Sequence, residues 1–202
     1  MFFQWFKVAL AWAKSFLNQI LNSTYEKKEF TLSVFSENQT GMVSRVVAIF
    51  TRRHINIESL NTSKSSLPGI HRFTIVVFTT EDMIKKLVAQ LDKQIDILKA
   101  FYYEKHEIIY QEIALYKIPS SIFGATLKVE KFVREYNVRI LEIDPEFIVF
   151  EKTGTAIETE ALLEEFKKYG IFEFVRSGRV AITRPMESLK NYMKRMELSD
   201  NF

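Results

Sequence analysis

Residues 31–60 read TLSVFSENQTGMVSRVVAIFTRRHINIESL and contain the main signals for the fold. The stretch opens with the alternating apolar run 31–35, which predicts a strand. Apolar residues at helical spacing follow and predict a helix over 41–53, with Thr40 as a candidate N-cap. His54–Leu60 then resumes the pattern of a strand. A polar junction therefore separates a strand from a helix that leads back to a second strand.

The flanking residues complete one unit of a known topology. The first strand extends over 29–36, and a turn signal at Ser65–Gly69 precedes another strand through 73–78. Thr80 then caps a second predicted helix, and a final strand covers about 95–104. The order β-α-β-β-α-β is that of the split, ferredoxin-like unit.

The second half repeats this order. Its predicted elements are a strand over 107–118, a helix over about 123–136, a hairpin within 138–151, a helix over about 156–168 and a last strand region over 172–183 that is broken near Ser177-Gly178. Two units of similar length fit the size of small domains. The sequence therefore predicts an α+β protein with two ferredoxin-like βαββαβ domains.

This division gives four segments. We expect an amphipathic N-terminal extension over 1–28, a first domain over 29–104, a second domain over 105–184 and a helical tail over 185–202. Within the tail, residues 186–197 are amphipathic.

The N-terminal segment 1–23 is strongly apolar, yet polar residues recur in it at about helical spacing. These interruptions argue against a membrane span, which needs roughly 20 mainly apolar residues. Neither a basic start nor a cleavage site marks a signal peptide. Three interpretations stay open: a helix packed against the protein or a neighbour, a translation start assigned too far upstream, and a helix lying on a membrane surface.

Composition excludes several kinds of site. The net charge of +3 is too small to indicate nucleic-acid binding by itself. The absence of cysteine excludes disulfides and thiolate metal sites. The three histidines are far apart and share no metal-ligand spacing. No phosphate-binding loop or nucleophile elbow occurs, and no catalytic constellation is evident.

The role of two arginines near the end of the second half can be interpreted in two ways. Arg176 and Arg179 flank Ser177-Gly178. They either grip an acidic surface on a partner or are exposed arginines at a sheet edge.

The junction between the first strand and the first helix is the candidate binding site. A helix N-terminus leaves backbone N–H groups free and favours a negative group. Gly41 allows a ligand to approach the backbone, and Asn38 offers both a donor and an acceptor. This combination suits an amino acid. The alternative is purely local: Thr40 caps the helix, Asn38 makes a turn and Gly41 eases packing.

The segment ENQTGMVSRVVAIFTRRHINIESLN, residues 37–61, resembles the signature of the small, regulatory subunit of acetohydroxyacid synthase, also called acetolactate synthase. The second half resembles the same family through EIALYKI, 112–118, and VRSGRVAITR, 175–184. The resemblance covers about 29–184. It implies that the first domain is an ACT domain, a small module that commonly binds amino acids.

The resemblance also implies a site for valine, or a related branched-chain amino acid, between two paired ACT domains. By motif position, the implied effector-binding residues are Asn38, Gly41, Met42, Asn56 and Ser63. Two departures from the family pattern stand out. Ser63 replaces a frequent alanine, and His54 replaces a frequent glycine, which histidine tolerates because it is enriched in left-handed backbone conformations.

The function implied by the resemblance is that of a non-catalytic regulatory subunit. It implies a homodimer formed through the ACT domains and a catalytic large subunit that carries thiamine diphosphate, Mg²⁺ and FAD, with no cofactor in this chain. The implied role is to activate that partner in the cytoplasm and to transmit valine feedback inhibition in branched-chain amino-acid synthesis, without a nucleic-acid or membrane partner. The alternative is a stand-alone ACT-domain amino-acid sensor or transcriptional regulator, for which no helix-turn-helix segment is spare.

Overall fold

The computed structural model of the chain describes residues 26–123 and 126–184. It divides into two compact units, with the division between Glu104 and Lys105. The predicted N-terminal helix and the predicted C-terminal tail lie outside the described residues. No helix in the described ranges is both long and apolar enough to cross a membrane.

The first unit is a four-stranded sheet with two helices. Its elements are β1 (Lys28–Glu37), α1 (Met42–Arg52), β2 (Ile57–Lys64), β3 (Ile70–Thr79), α2 (Glu81–Leu91) and β4 (Ile97–Tyr103). The strand order is β2-β3-β1-β4, and every pair is antiparallel. This arrangement confirms the predicted ferredoxin-like topology and leaves β2 at one edge of the sheet.

The second unit has the same topology with a longer, interrupted last strand. Its elements are β5 (Ile108–Pro119), α3 (Thr126–Tyr136), β6 (Arg139–Ile143), β7 (Phe147–Gly154), α4 (Ala156–Lys167), β8 (Glu173–Arg176) and β9 (Val180–Thr183). The strand order is β6-β7-β5-β8, and β9 pairs with the beginning of β5. The predicted break near Ser177-Gly178 separates β8 from β9, because the Ser177 hydroxyl accepts the backbone N–H of Ile113 there.

Each unit has its own apolar core between its sheet and its helices. In the first unit the core-facing residues of β1 and β3, such as Leu32 opposite Ile75, meet buried residues of both helices. The second core is richer in aromatic side chains, and the Tyr116 ring meets Phe166 of α4 with a centroid distance of 4.9 Å. The Tyr116 hydroxyl donates to the Thr159 carbonyl at 2.7 Å, which satisfies the one polar atom of this buried ring.

Helix α1 ends in a left-handed residue. His54 has φ +54°, and its N–H donates to the Thr51 carbonyl at 3.0 Å, while the Ile55 N–H donates to the Phe50 carbonyl at 3.1 Å. This pair of bonds is the Schellman ending of a helix. It confirms the expected left-handed backbone at His54, and it explains why β2 begins at Ile57 rather than at residue 54 as predicted.

The helix starts confirm one predicted cap and correct another. The Thr80 hydroxyl accepts the Met83 N–H, as predicted for α2. Thr40 does not cap α1, so that prediction is wrong. The residue before α1 is Gly41, whose φ of +82° turns the chain into the helix, and no side chain accepts a hydrogen bond from the first turn.

Candidate functional site

The junction between β1 and α1 is a short polar loop held by backbone hydrogen bonds. The Asn38 N–H donates to the Gly69 carbonyl at 3.0 Å, which ties the loop to the turn between β2 and β3. The Gln39 side chain donates to the Glu37 carboxylate at 2.7 Å. The Asn38 side chain is exposed at this end of the sheet. The loop is therefore fixed by its backbone, while its amide side chain faces solvent.

Helix α1 leaves backbone donors at its N-terminus. The Met42 N–H donates to the Gln39 carbonyl at 3.4 Å, and the Arg45 N–H donates to the Gly41 carbonyl at 3.1 Å. For the N–H groups of Val43 and Ser44, the described part of the chain offers no backbone acceptor, and no acidic side chain lies in the first turn. Two donors and the positive end of the helix dipole therefore remain available to an anion.

Gly41 keeps this end of the helix open. Its φ of +82° is one that residues with a side chain rarely adopt, and a Cβ placed there would meet no heavy atom within 4 Å. The glycine is thus required by the backbone angle and not by crowding within the chain. A side chain at position 41 would project into open space at this end of α1.

A cavity of about 290 Å³ lies at the same end of the sheet. Asn38 lines one side, and the turn between β2 and β3 lines the rest, with polar groups from Lys64 and His71 and apolar groups from Leu67, Pro68 and Ile70. The volume is close to the lower limit of small-ligand sites, roughly 300 Å³. It is sufficient for a ligand of amino-acid size.

Met42 contributes its backbone rather than its side chain to this site. Its side chain is 5% exposed and belongs to the core of the first unit. Only its backbone lies at the helix start, beside Gly41. The sequence motif therefore groups a core residue with the exposed positions Asn38 and Gly41.

The other two predicted residues lie at opposite ends of β2. Lys64 pairs with His71 and Glu37 pairs with Ile70, which brings Ser63 to the end of the sheet where Asn38 lies. Asn56 precedes the other end of β2, and its side chain donates to Glu58 at 2.9 Å. Seven residues of strand span roughly 23 Å. One copy of the chain therefore does not bring Asn56 to Asn38 and Gly41.

The second unit contains a charged cluster of Glu112, Arg176 and Arg179 that was not predicted from the sequence. Glu112 on β5 is 5% exposed, and its carboxylate lies 3.3 Å from Arg176 Nε and 3.5 Å from Arg179 Nε. The Arg179 guanidinium also lies 3.9 Å from the centroid of the Tyr110 ring. Arg179 is 2% exposed, so neither interpretation of this arginine is correct: its acidic contact is Glu112 of its own chain. The sequence did contain a signal for the burial of Glu112. In the two-residue alternation of β5, Glu112 falls on the same side of the strand as the core residues Ala114 and Tyr116.

The described residues contain no cluster of three or more histidine or acidic side chains that could hold a metal ion. The buried Glu112 carboxylate is paired with two arginines of its own chain.

Two family models match the chain. The model described as "AHAS small subunit-like ACT domain" matches residues 32–99, and the model described as "Small subunit of acetolactate synthase" matches residues 111–185. Together they cover most of both compact units.

Curated relatives and a solved structure agree with these matches. The "Acetolactate synthase small subunit" of Bacillus subtilis is 34% identical over 159 residues, which cover 78% of this chain and 91% of the relative. The "Putative acetolactate synthase small subunit" of Mycobacterium tuberculosis is 32% identical over 157 residues, 78% of this chain and 93% of the relative. The crystal structure of the acetolactate synthase small subunit from Thermotoga maritima has a TM-score of 0.71 at 24% identity and covers 79% of this chain and 99% of that chain.

Proposed function

This chain belongs to the family of acetolactate synthase small subunits, and we propose that it binds a branched-chain amino acid at the N-terminus of α1 and thereby regulates a catalytic subunit. The observation that carries the proposal is the pair of N–H groups of Val43 and Ser44, which lie beside Gly41 at an uncapped helix start. They offer hydrogen bonds to the carboxylate of an amino acid, and the exposed Asn38 amide offers an acceptor for its ammonium group.

The site is completed by a second copy of the chain. Asn56 lies about 23 Å along β2 from Ser63, and β2 is at an edge of its sheet. If two copies pair through β2 in antiparallel orientation, the two-fold axis brings Asn56 of each copy to the Ser63 end of the other. Each dimer then holds two equivalent effector sites. This pairing also gives the outward-facing backbone groups of the edge strand hydrogen-bond partners on the second copy.

The proposed partner is the catalytic subunit of acetolactate synthase. We expect thiamine diphosphate, Mg²⁺ and FAD on that partner and the assembled enzyme in the cytoplasm. Binding of valine inhibits only if valine has a higher affinity for the less active conformation. Equal affinity for both conformations would leave their populations unchanged. The first unit is then the effector-binding domain.

Gly41→Asp tests this function in the reconstituted enzyme. The aspartate places a negative charge where the effector carboxylate would lie, so the variant should still activate the catalytic subunit but lose inhibition by valine. Acetolactate formation is measured across a valine titration, with and without the small subunit. Gly41→Ala is the matched control, because alanine experiences the same backbone strain at this left-handed angle but adds no charge.

The control should retain valine inhibition, with an affinity reduced by less than about tenfold, or about 1.4 kcal/mol. Undiminished valine inhibition with Gly41→Asp would contradict the proposed site. A wild-type chain that leaves the activity of the catalytic subunit unchanged would contradict the wider function. A stand-alone sensor would not co-purify with a large synthase subunit.

A further inference from the structure

The second unit carries an apolar patch on the face of its sheet that is opposite its core. The core-facing residues of β5, such as Ala114 and Tyr116, pack with residues of α3 and α4. The residues between them point to the other face. The exposed apolar side chains of this face, here called the outer patch, are Ile109, Ile113, Val175, Val180 and Ile182, each between 48% and 58% exposed.

The members of the outer patch are neighbours across paired strands. Ile109 pairs with Ile182, and Val180 lies opposite Gln111, two residues further along β5. Val175 pairs with the half-buried Leu115. The patch therefore runs along β5 for roughly 20 Å, from residue 109 to residue 115. Contiguous apolar surface of this kind marks an interaction site, whereas single exposed apolar residues do not.

The sequence supplies an apolar stripe directly after β9. In residues 185–202, apolar side chains recur at intervals of three and four positions, as expected for one face of a helix. The stripe consists of Met186, Leu189, Met193 and Met196. Asn191 falls on the opposite side of such a helix, and Pro185 suits its first position. The family model ends at residue 185, so the stripe lies beyond the matched region.

We propose that residues 186–197 form a helix whose methionine-rich stripe packs on the outer patch of the same chain. The geometry of the connection favours this occupant. Thr183 pairs with Ile108, and the Arg184 N–H donates to the Glu107 carbonyl at 2.8 Å, so the backbone is held beside Ile109 up to the last described residue. The tail is therefore tethered at one end of the patch, which gives it a high effective concentration there.

The dimensions and chemistry of the two surfaces match. From Met186 to Met196 a helix rises about 15 Å, which fits on a patch about 20 Å long. Methionine side chains are flexible and adapt to an irregular surface such as this one, where the last strand is interrupted between β8 and β9. The packed helix would also cover part of the β8–β9 edge, which natural sheets seldom leave apolar and exposed.

Cross-linking of introduced cysteines tests the proposal in the full chain. The sequence has no cysteine, so an introduced pair reports without background. The test variant carries Ile113→Cys and Met193→Cys and is treated with a short bis-maleimide. We expect rapid cross-linking within one chain, identified by the mass of the intact protein and by a peptide map.

Two matched variants show whether the contact is specific. Ile113→Cys with Asn191→Cys places the tail cysteine on the polar side of the predicted helix. Ile157→Cys with Met193→Cys places the other cysteine on α4, where Ile157 is 69% exposed on the helix side of the sheet. Both should react at least about tenfold more slowly than the test pair, because only the test pair has the effective concentration of a direct contact.

Equal cross-linking rates for the three pairs would overturn the proposal, since they would show a tail without a fixed position. A main product that joins two chains through the test pair would also overturn it, because a second copy would then occupy the outer patch. Rapid cross-linking within one chain that is specific to the test pair supports the proposal.

Discussion

His54 shows how one backbone angle sets an element boundary. Its φ of +54° ends α1 and directs Ile55, which is 7% exposed, into the core of the first unit. A left-handed angle costs a residue with a side chain about 1–2 kcal/mol, a cost that glycine avoids. The same device ends α3, where Asn137 has φ +49° and the Val138 N–H donates to the Val133 carbonyl.

We expect His54→Gly to raise the free energy of unfolding by about 1 kcal/mol, because relief of the backbone strain exceeds the greater entropy of glycine in the unfolded chain. Urea denaturation measures this change. His54→Ala is the control, since alanine removes the imidazole but keeps the strained angle. An equal gain in both variants would contradict the backbone explanation.

Glu112 is a buried charged side chain whose removal should be costly. It is held between Arg176 and Arg179, and Arg179 is as deeply buried as the carboxylate. Removing one partner of a buried pair leaves a charge without compensation.

Glu112→Ala should therefore lower the free energy of unfolding by about 3 kcal/mol. Chemical denaturation checks the value. The control is Glu164→Ala, which removes an exposed carboxylate paired with Lys167 at 2.5 Å and should leave stability nearly unchanged. Similar losses in the two variants would show that burial of the Glu112 cluster contributes little.

At this scale the sequence predicted the angle at His54 but not the environment of Glu112. The first prediction needs only a local preference, and the family pattern supplies glycine at the same place. The second needs the pairing of β5 with two separate strand segments, which brings together residues 67 positions apart. Burial of a charge depends on such long-range contacts, and no local pattern contains them.

Helix starts differ among the elements in a way that bears on binding. Thr80 caps α2, and Thr155 forms a capping box with Glu158 at the start of α4. The Glu158 carboxylate accepts bonds from the Thr155 backbone N–H and hydroxyl, and these bonds lower the pKa of Glu158. Helix α1 has no such cap after Gly41. The first turn of α1 therefore lacks the stabilising cap that α2 and α4 have, and its donors are available to the proposed effector.

Three threonine variants test this difference between elements. Thr80→Ala and Thr155→Ala should each lower the free energy of unfolding by about 1 kcal/mol, the usual loss for a helix cap. Thr40→Ala should change it by less than about 0.5 kcal/mol, because Thr40 makes no capping bond. Thermal or urea denaturation of the three variants decides. A loss of unfolding free energy in Thr40→Ala as large as that in Thr80→Ala would show that Thr40 does cap α1.

The order of elements could be predicted because periodicity and turn residues are local signals. The separation of Asn38 and Asn56 could not be predicted from local signals alone, because it depends on the length of the helix between them. Helix α1 has 11 residues and is about 17 Å long, so the chain that enters it beside Asn38 leaves it at the other end of the sheet. The two asparagines that share one signature are therefore separated by the helix between them, and this follows from topology rather than from residue chemistry.

At the scale of the whole molecule, the proposed effector site needs two copies of the chain. In this proposal the junction of one chain supplies Asn38, Gly41 and the free N–H groups of α1, and the second chain supplies Asn56, the residue before its β2. An effector that binds such an interface would favour one arrangement of the two chains over the other, and this preference would couple binding to a conformational change.

The most direct test is a calorimetric titration with valine of dimers that mix two variants. Gly41→Asp damages one side of the site, and Asn56→Ala damages the other, so neither variant alone should bind valine. After subunit exchange in an equal mixture, half of the dimers carry both variants and hold one intact site out of two. The account predicts about one quarter of the wild-type number of sites in that mixture. Saturable binding in the wild type with no recovery in the mixture would place all the binding groups in one chain and contradict the shared site.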